Sequence, residues 1–166
     1  MKGDPAIIRT LNAVLTNELT AVNQYFLHAR MFESWGLKHL GQVIYEESIG
    51  EMKHADKLIK RVLFLDGLPN MQDLHKLKIG ENVVECFGSD LQLELGGRET
   101  LLAGVAQCEA AKDFISRQIL TEILADTEEH IDFLEAQFKL IEQLGEQNYL
   151  QSAMTEIAPD RSATGN

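Results

Sequence analysis

The sequence has little proline and cysteine, and it has no long apolar run. Only 3 of its 166 residues are proline, so breaks in helical structure are few and an all-α fold is favoured. No stretch approaches the roughly 20 consecutive apolar residues of a membrane-spanning helix. The first residues, Met1 to Pro5, include no apolar segment typical of a secretory leader. We therefore expect a cytoplasmic protein.

The two cysteines cannot pair with each other. Cys86 and Cys108 fall on one predicted helix, about 33 Å apart at 1.5 Å per residue, which is far beyond disulfide distance. The spacing of cysteine and histidine does not match a structural zinc site. We expect reduced thiols packed in the interior.

Basic residues are scarce relative to acidic ones. The chain has 15 lysines and arginines against 26 aspartates and glutamates, a formal net charge of −11. Nucleic acids and anionic membranes require a basic face, so both are disfavoured as partners. Such a charge suits a protein that attracts cations. At this length, one domain with a sizeable core is expected.

Apolar periodicity predicts four long helices and a short fifth one. Asp4 is a plausible N-cap with Pro5 at the first helical position. The expected helices span residues 5–35, 39–66, 81–111, 112–144 and 147–158. Together they form one domain of residues 1–158, followed by a polar, flexible tail of residues 159–166.

The segment between the second and third helices has no clean period. Extended, it could span about 45–50 Å, whereas a helix of some twenty-six residues is about 39 Å long. It is therefore long enough to run the length of a bundle and start the third helix at the far end. Such a crossover favours a ferritin-like four-helix bundle over an up-down-up-down bundle.

Each long helix carries polar residues near the middle of its apolar stripe. Glu51 and His54 are three residues apart, so both project from one face of the second helix. The corresponding positions on the other helices are Glu18, Glu94, and Thr127 with His130. Because midpoints of similar-length helices meet at one level, we expect three carboxylates and two imidazoles to converge.

Buried charges need compensation, and two kinds are open from the pattern alone. An ion-pair network is one, with Arg61 and Arg98 available on the same stripes. Metal ions are the other, since three adjacent carboxylates repel unless protonated or bridged by cations. The ligand set suits iron, manganese or zinc shared between two ions. Ferritin-like di-iron proteins use four carboxylates and two histidines, and here Thr127 stands in place of one glutamate.

Several segments strongly resemble bacterioferritin, over nearly the whole chain to about Ile157. They are residues 1–4 (Met-Lys-Gly-Asp), 17–19 (Asn-Glu-Leu), 23–32, 51–56 (Glu-Met-Lys-His-Ala-Asp), 63–70, 130–132 (His-Ile-Asp) and 147–150. The resemblance implies a cytosolic shell of twenty-four subunits that oxidises Fe(II), stores ferric mineral inside and holds haem b between subunit pairs. It further implies di-iron ligands at Glu18, Glu51, His54, Glu94 and His130, with Tyr25 beside them as a candidate electron donor.

Thr127 is the main departure from the bacterioferritin pattern. Its hydroxyl is neutral and too short to replace a bridging carboxylate, so at least one metal position should be weakened. Asp126, one turn before His130, is better placed to compensate than Glu128. Positions 46 and 50 are Glu and Gly, where some relatives carry His and Asp as an inner-surface iron site.

Met52 lies about 100° round the helix from Glu51, off the core stripe. By itself it reads as a surface or interface methionine. Tyr45 and Ile49 share its face, and Leu19, Asn23 and Phe26 form a comparable face on the first helix. An apolar outward strip indicates an oligomer interface, across which two copies of Met52 could meet. The resemblance makes Met52 the haem ligand.

Three hypotheses follow. One is an iron-storage ferroxidase that uses O2 or peroxide. Another is a haem-bearing, electron-transferring shell subunit with an impaired centre, working beside a second bacterioferritin subunit that has a complete one. A purely structural helical bundle is the third. An electron-donor protein for iron release would be a further partner of either iron-handling form.

Overall fold

The computed structural model describes residues 1–154, which form five α-helices and no strand. The helices are α1 (Pro5–Ser34), α2 (Lys38–Phe64), α3 (Val83–Ala110), α4 (Phe114–Leu144) and α5 (Glu146–Ala153). α1 packs mainly on α2, α3 packs on α4, and α1 also contacts α3. The predicted all-α four-helix bundle with a long crossover and a short fifth helix is confirmed.

Helix ends follow from local chemistry. The Asp4 side chain accepts the N–H of Ala6 at the start of α1. α2 ends at Phe64, two residues before the predicted end, because Asp66 takes a left-handed conformation with φ 58°. In that conformation the Gly67 N–H reaches the Val62 carbonyl at 2.9 Å and closes the helix terminus.

α5 is shorter than predicted. It ends at Ala153, and Met154 has an extended backbone. Tyr149 and Ala153 are the buried residues of this helix, and Met154, which follows it, is 53% exposed. Residues 155–158 of the predicted helix and the predicted tail, 159–166, lie outside the described residues.

The apolar core is divided into two halves. One half includes Tyr25, Phe32, Ile44, Phe87, Leu134 and Tyr149. The other includes Leu11, Leu15, Ala55, Leu58, Leu101 and Ile123. On every long helix the polar residues of the central stripe lie between the two halves: Glu18, for example, follows Leu15 and precedes Ala21. The bundle therefore contains a polar layer at mid-height.

The crossover, residues 65–82, runs along α1 and is held by side chains of that helix. Asn12, Thr20, Gln24 and His28 occupy one face at multiples of four residues. Each makes hydrogen bonds to the crossover backbone at 2.8–3.3 Å: Asn12 to Leu68 and Asn70, Thr20 to His75, Gln24 to Lys78, and His28 to Gly80. α1 thus fixes the crossover path that allows α3 to start at the far end of the bundle.

Both cysteines behave as expected. Cys86 and Cys108 are free, buried and placed on α3. Burial raises the pKa of each thiol, to about 12 for Cys86 and about 11 for Cys108. They are packed thiols and not reactive ones. Among the described residues, none of the helices combines the length and apolarity needed to cross a membrane.

Candidate metal centre

The polar layer brings together side chains from all four long helices. Glu18 comes from α1, Glu51 and His54 from α2, Glu94 from α3 and His130 from α4. They form two groups of three, in each of which one possible ligand atom per residue lies within 4.8 Å of the others. We call Glu18–Glu51–His54 the first triad and Glu51–Glu94–His130 the second triad. Glu51 belongs to both.

The two oxygens of Glu51 face different triads. His54 Nδ1 lies 3.0 Å from Glu18 Oε2 and 3.0 Å from Glu51 Oε2. On the other side, His130 Nδ1 lies 3.2 Å from Glu51 Oε1 and 3.2 Å from Glu94 Oε1. A carboxylate with one oxygen directed at each of two ligand sets has the geometry required to bridge two cations.

The carboxylates of the triads are almost fully buried, at 3–6% exposure. Burial, together with the negative charge of Glu51, raises the pKa of Glu18 well above its usual range. Burial raises the pKa of Glu94 as well. Although burial acts in the same direction on Glu51, hydrogen bonds from His130 and His54 hold its pKa below the usual range. The shared carboxylate is therefore the one most firmly ionised.

Both rings are in the imidazolium form, with both ring nitrogens protonated, at neutral pH when no cation is present. Burial by itself would lower the pKa of His54, but its hydrogen bonds to Glu18 and Glu51 raise that pKa to about 11. In the same way, Glu51 and Glu94 outweigh burial and raise the pKa of His130 to about 10. The two imidazolium charges partly offset the three carboxylates, and a metal would take over that role.

The arginines considered as alternative partners are engaged elsewhere. Arg61 pairs with Asp113 at 2.6 Å, near the start of α4. Arg98 pairs with Glu128 at 2.8 Å, on the outside of the bundle. Neither guanidinium forms an ion pair with a triad carboxylate among the described residues, so the layer has no permanent cation of its own.

Tyr25 lies directly beside the second triad. Its hydroxyl donates a hydrogen bond to Glu94 Oε1, and its ring meets the His130 ring edge-on at 6.3 Å between centroids. Burial and the neighbouring Glu94 charge raise the pKa of the Tyr25 phenol well above its usual range. The phenol is therefore neutral and retains its proton at physiological pH.

Thr127 lies buried in the layer, where its short side chain brings no charge. The neighbouring Asp126 does not join either triad. Its Oδ2 lies 2.8 Å from Nε2 of His54, the ring nitrogen opposite the one that faces Glu18 and Glu51. Glu128 is engaged with Arg98. Asp126 therefore reaches a residue of the first triad from behind and does not substitute directly for a carboxylate at 127.

Two features of the layer were not predicted from the sequence. Glu47 lies one turn before Glu51 on α2 and contacts Nε2 of His130. Asp90, one turn before Glu94 on α3, is buried and accepts hydrogen bonds from Gln24 at 2.7 Å and His28 at 2.9 Å. The sequence gives no sign of it, because the neighbouring Leu91 continues the apolar spacing from Phe87 to Glu94.

An open pocket of about 390 Å³ lies on the outer side of both imidazoles. Its lining residues are Glu47, Gly50, His54, Asp126, Glu129, His130 and Phe133. A β-carbon added at Gly50 would meet no atom within 4 Å, so this glycine leaves room at the pocket wall. Solutes of ionic size can thus reach the histidine side of the layer.

Comparisons with known proteins agree with this geometry. Residues 8–144 match the ferritin-like domain. The chain is 45% identical to a bacterioferritin of Streptomyces coelicolor over 166 residues, covering 100% of this chain and 99% of that protein. A bacterioferritin of Brucella melitensis is 46% identical over 151 residues, and one of Mycobacterium bovis is 46% identical over 149 residues. These two alignments cover 91% and 90% of this chain, and 94% of each relative.

The chain belongs to the bacterioferritin family. The alignment with the Streptomyces coelicolor protein covers the whole chain, and the ferritin-like domain spans residues 8–144. The polar layer therefore lies within the shared domain.

On this bacterioferritin chain Met52 faces away from both triads and is 51% exposed. Phe26 is also exposed on the adjacent α1 surface, and its ring lies 6.2 Å from that of Tyr45. The Arg30 guanidinium covers the Tyr45 ring at 4.7 Å. An exposed thioether on an aromatic strip has the donor chemistry of a haem ligand, and one chain offers one sulfur. The Met52 side chain therefore fits the chemistry of a haem ligand.

Proposed function

We propose that this chain is an iron-storage subunit that binds Fe(II) at the two triads and oxidises it there. The bacterioferritin family is a family of iron-storage proteins, and iron is the substrate in this account. The observation that carries the proposal is Glu51, which directs Oε2 to the first triad and Oε1 to the second. A bridging carboxylate holds two metal ions close enough for a two-electron reaction.

The side chains of this centre would exchange protons for Fe(II). Fe(II) displaces the protons held at Nδ1 of His54 and His130, and the freed lone pairs become ligands. Glu18, Glu51 and Glu94 then neutralise most of the added charge. Two Fe(II) ions lose one electron each, and these electrons with two protons reduce O2 to H2O2, or reduce peroxide to water.

Tyr25 would serve as an additional electron donor. Its hydroxyl is hydrogen-bonded to Glu94, so the phenolic proton has a carboxylate acceptor in place when an electron leaves the ring. Oxidised iron would move into the cavity of a cytoplasmic shell of twenty-four subunits, and an electron-donor protein would later supply the electrons for its release.

Met52 would hold haem b between two subunits. Its exposure supports this role, because a two-fold axis through this face of the chain would bring together the Met52 side chains of two copies, and a thioether sulfur can ligate haem iron. When bound, haem supplies one-electron transfer across the shell wall. The protein would contribute the thioether ligand.

The ferroxidase proposal is tested by mixing the assembled protein with Fe(II) in air and following Fe(III) absorbance. Glu51→Gln keeps the shape of the residue but removes the bridging charge, and we expect it to slow oxidation by at least about tenfold. Glu135→Gln, at an exposed position of α4, is the matched control. Equal rates for the wild type, Glu51→Gln and protein-free buffer would refute the proposal.

The second candidate is a haem-bearing shell subunit that relies on a catalytically complete partner chain. Thr127 favours it, because a buried neutral residue stands where the polar layer would gain a fourth carboxylate. Mass spectrometry of the intact shell from its natural source tests it. Two subunit types in one shell support the partnership, whereas a shell of this chain alone with full activity refutes it.

A further inference from the structure

We propose that Asp126 and Glu47 are positioning residues, each orienting one imidazole of the metal centre. Both histidines have carboxylates at both ring nitrogens. His54 Nδ1 faces its triad while Nε2 lies 2.8 Å from Asp126 Oδ2. His130 is arranged alike, with Nε2 against Glu47. This inference rests on the metal binding proposed above.

The tautomer of each ring gives the outer carboxylates their role. A neutral imidazole has one nitrogen that donates a proton and one that offers a lone pair. Nδ1 must offer its lone pair to a metal in the triad, so Nε2 must carry the proton. An anionic acceptor at Nε2 stabilises that tautomer, fixes the ring plane and makes Nδ1 a stronger ligand. Asp126 and Glu47 stand where such acceptors are required.

Asp126 has particular weight in this chain because Thr127 next to it is neutral. α4 contributes no carboxylate to either triad. Asp126 places a negative charge against Nε2 of His54 and so supports the first triad without itself binding the metal. Its side chain is 54% exposed and lines the open pocket, which shows that it reaches the imidazole from the solvent side.

The pairing of residues makes the inference specific. Of the two triad histidines, Asp126 contacts that of the first triad and Glu47 that of the second, within the part of the chain that the structure describes. Removing one carboxylate should therefore weaken one metal position and spare the other. Glu129 lines the same pocket, but it makes no hydrogen bond to either imidazole among the described residues, so it serves as a control for the pocket's negative charge.

Co(II), which air does not oxidise readily in such sites, is the probe. Its occupancy at each triad would be measured in crystals of the assembled protein soaked at graded concentrations, and its affinity in solution by chelator competition. We expect Asp126→Ala to weaken the first triad by about 10- to 100-fold and to let the His54 ring turn. Asp126→Asn keeps an acceptor and should lose less. Glu47→Ala should weaken the second triad, and Glu129→Ala should change neither by more than about threefold.

Three results would overturn the positioning role. Equal losses in Asp126→Ala and Glu129→Ala would mean that only the charge of the pocket matters. Unchanged affinity in Asp126→Ala and Glu47→Ala would mean that the contacts are incidental. Co(II) bound directly by Asp126 would make it a ligand. Wild-type protein that binds no Co(II) at either triad would instead refute the proposed function itself, and this inference with it.

Discussion

Thr127 leaves the layer with one carboxylate fewer than two Fe(II) ions would need for neutralisation. Two Fe(II) ions carry four positive charges, and the triads offer three carboxylates, Glu18, Glu51 and Glu94. A fourth carboxylate would complete neutralisation, but the threonine side chain supplies none. Asp126 compensates only through the ring of His54. The centre is therefore expected to bind iron more weakly than one with glutamate at 127.

Replacing Thr127 by glutamate should strengthen the centre. We expect Thr127→Glu to increase the rate of Fe(II) oxidation by about tenfold or more, because it adds one charge and one ligand to the buried layer. Stopped-flow absorbance measures the rate. Thr127→Gln introduces a side chain of the same length as glutamate but without its charge, so it separates the effect of charge from that of volume. Identical rates in the wild type and Thr127→Glu would contradict the importance given to this position.

Metal binding at the triads should release protons. The pKa of His54 is raised to about 11 and that of His130 to about 10, so both rings are imidazolium at every pH below that range and carry a proton on Nδ1. A metal at Nδ1 must displace this proton, so affinity rises as pH rises. Calorimetry with Zn(II) in buffers of different ionisation enthalpy should give about one proton per ion or more. Release near zero would mean that the rings are already neutral.

At the level of helices, the sequence predicts the layer. Apolar residues recur at alternating spacings of four and three along each long helix, and polar residues replace them near its midpoint. Glu18 and Glu94 interrupt otherwise apolar stripes, and equal helix lengths bring such midpoints together. Their role as metal ligands stays a prediction. The helix limits of the four long helices were predicted to within about two residues from caps and glycines.

Other contacts could not be predicted, because they depend on side-chain direction between helices. Asp90 is buried although a stripe through Leu91 looks equally apolar, and only the packing of α3 on α1 decides between them. Asp126 lies off the stripe of α4, yet it reaches His54 because the pocket leaves space on that side. Ring nitrogen contacts of this kind leave no periodic signal.

The polar face of α1 that holds the crossover gives an element-scale prediction. Gln24 accepts the Lys78 N–H at 3.0 Å and donates to the buried Asp90 carboxylate at 2.7 Å. Gln24→Leu removes both bonds, and leaving a buried carboxylate short of one donor destabilises by about 1–3 kcal/mol. We expect faster hydrogen exchange at residues 77–81 and a lower melting temperature.

Thr20→Val provides the comparison for this variant. It removes the acceptor of the His75 N–H, at 3.0 Å, from the same face of α1 without touching Asp90. Exchange should accelerate around residue 75 and remain slow around residue 80. If Gln24→Leu left exchange and melting unchanged, the crossover would be held by other contacts.

For the assembled molecule, the exposed strip around Met52 is the feature that needs a partner. Met52 on α2 and Phe26 on α1 are both about half exposed, and a second copy packed against these two helices would bury them. Because each chain has a net charge of −11, the long-range electrostatic field of such an assembly would attract cations. Haem binding and shell formation remain proposals for this chain.

Met52→Leu should abolish haem binding without affecting iron oxidation. Leucine preserves the volume of the side chain but has no sulfur to ligate iron. The visible spectrum and the haem content of the purified protein measure the loss, and light scattering shows whether the assembly persists. Leu68→Met, at another exposed position, is expected to bind no additional haem. Full haem content in Met52→Leu would rule out Met52 as the ligand.

The most direct test of the central claim is the anomalous diffraction of crystals soaked anaerobically in Fe(II). The account predicts two peaks per chain, one bounded by Glu18, Glu51 and His54 and the other by Glu51, Glu94 and His130. Iron found only at exposed carboxylates, with both triads empty, would contradict it.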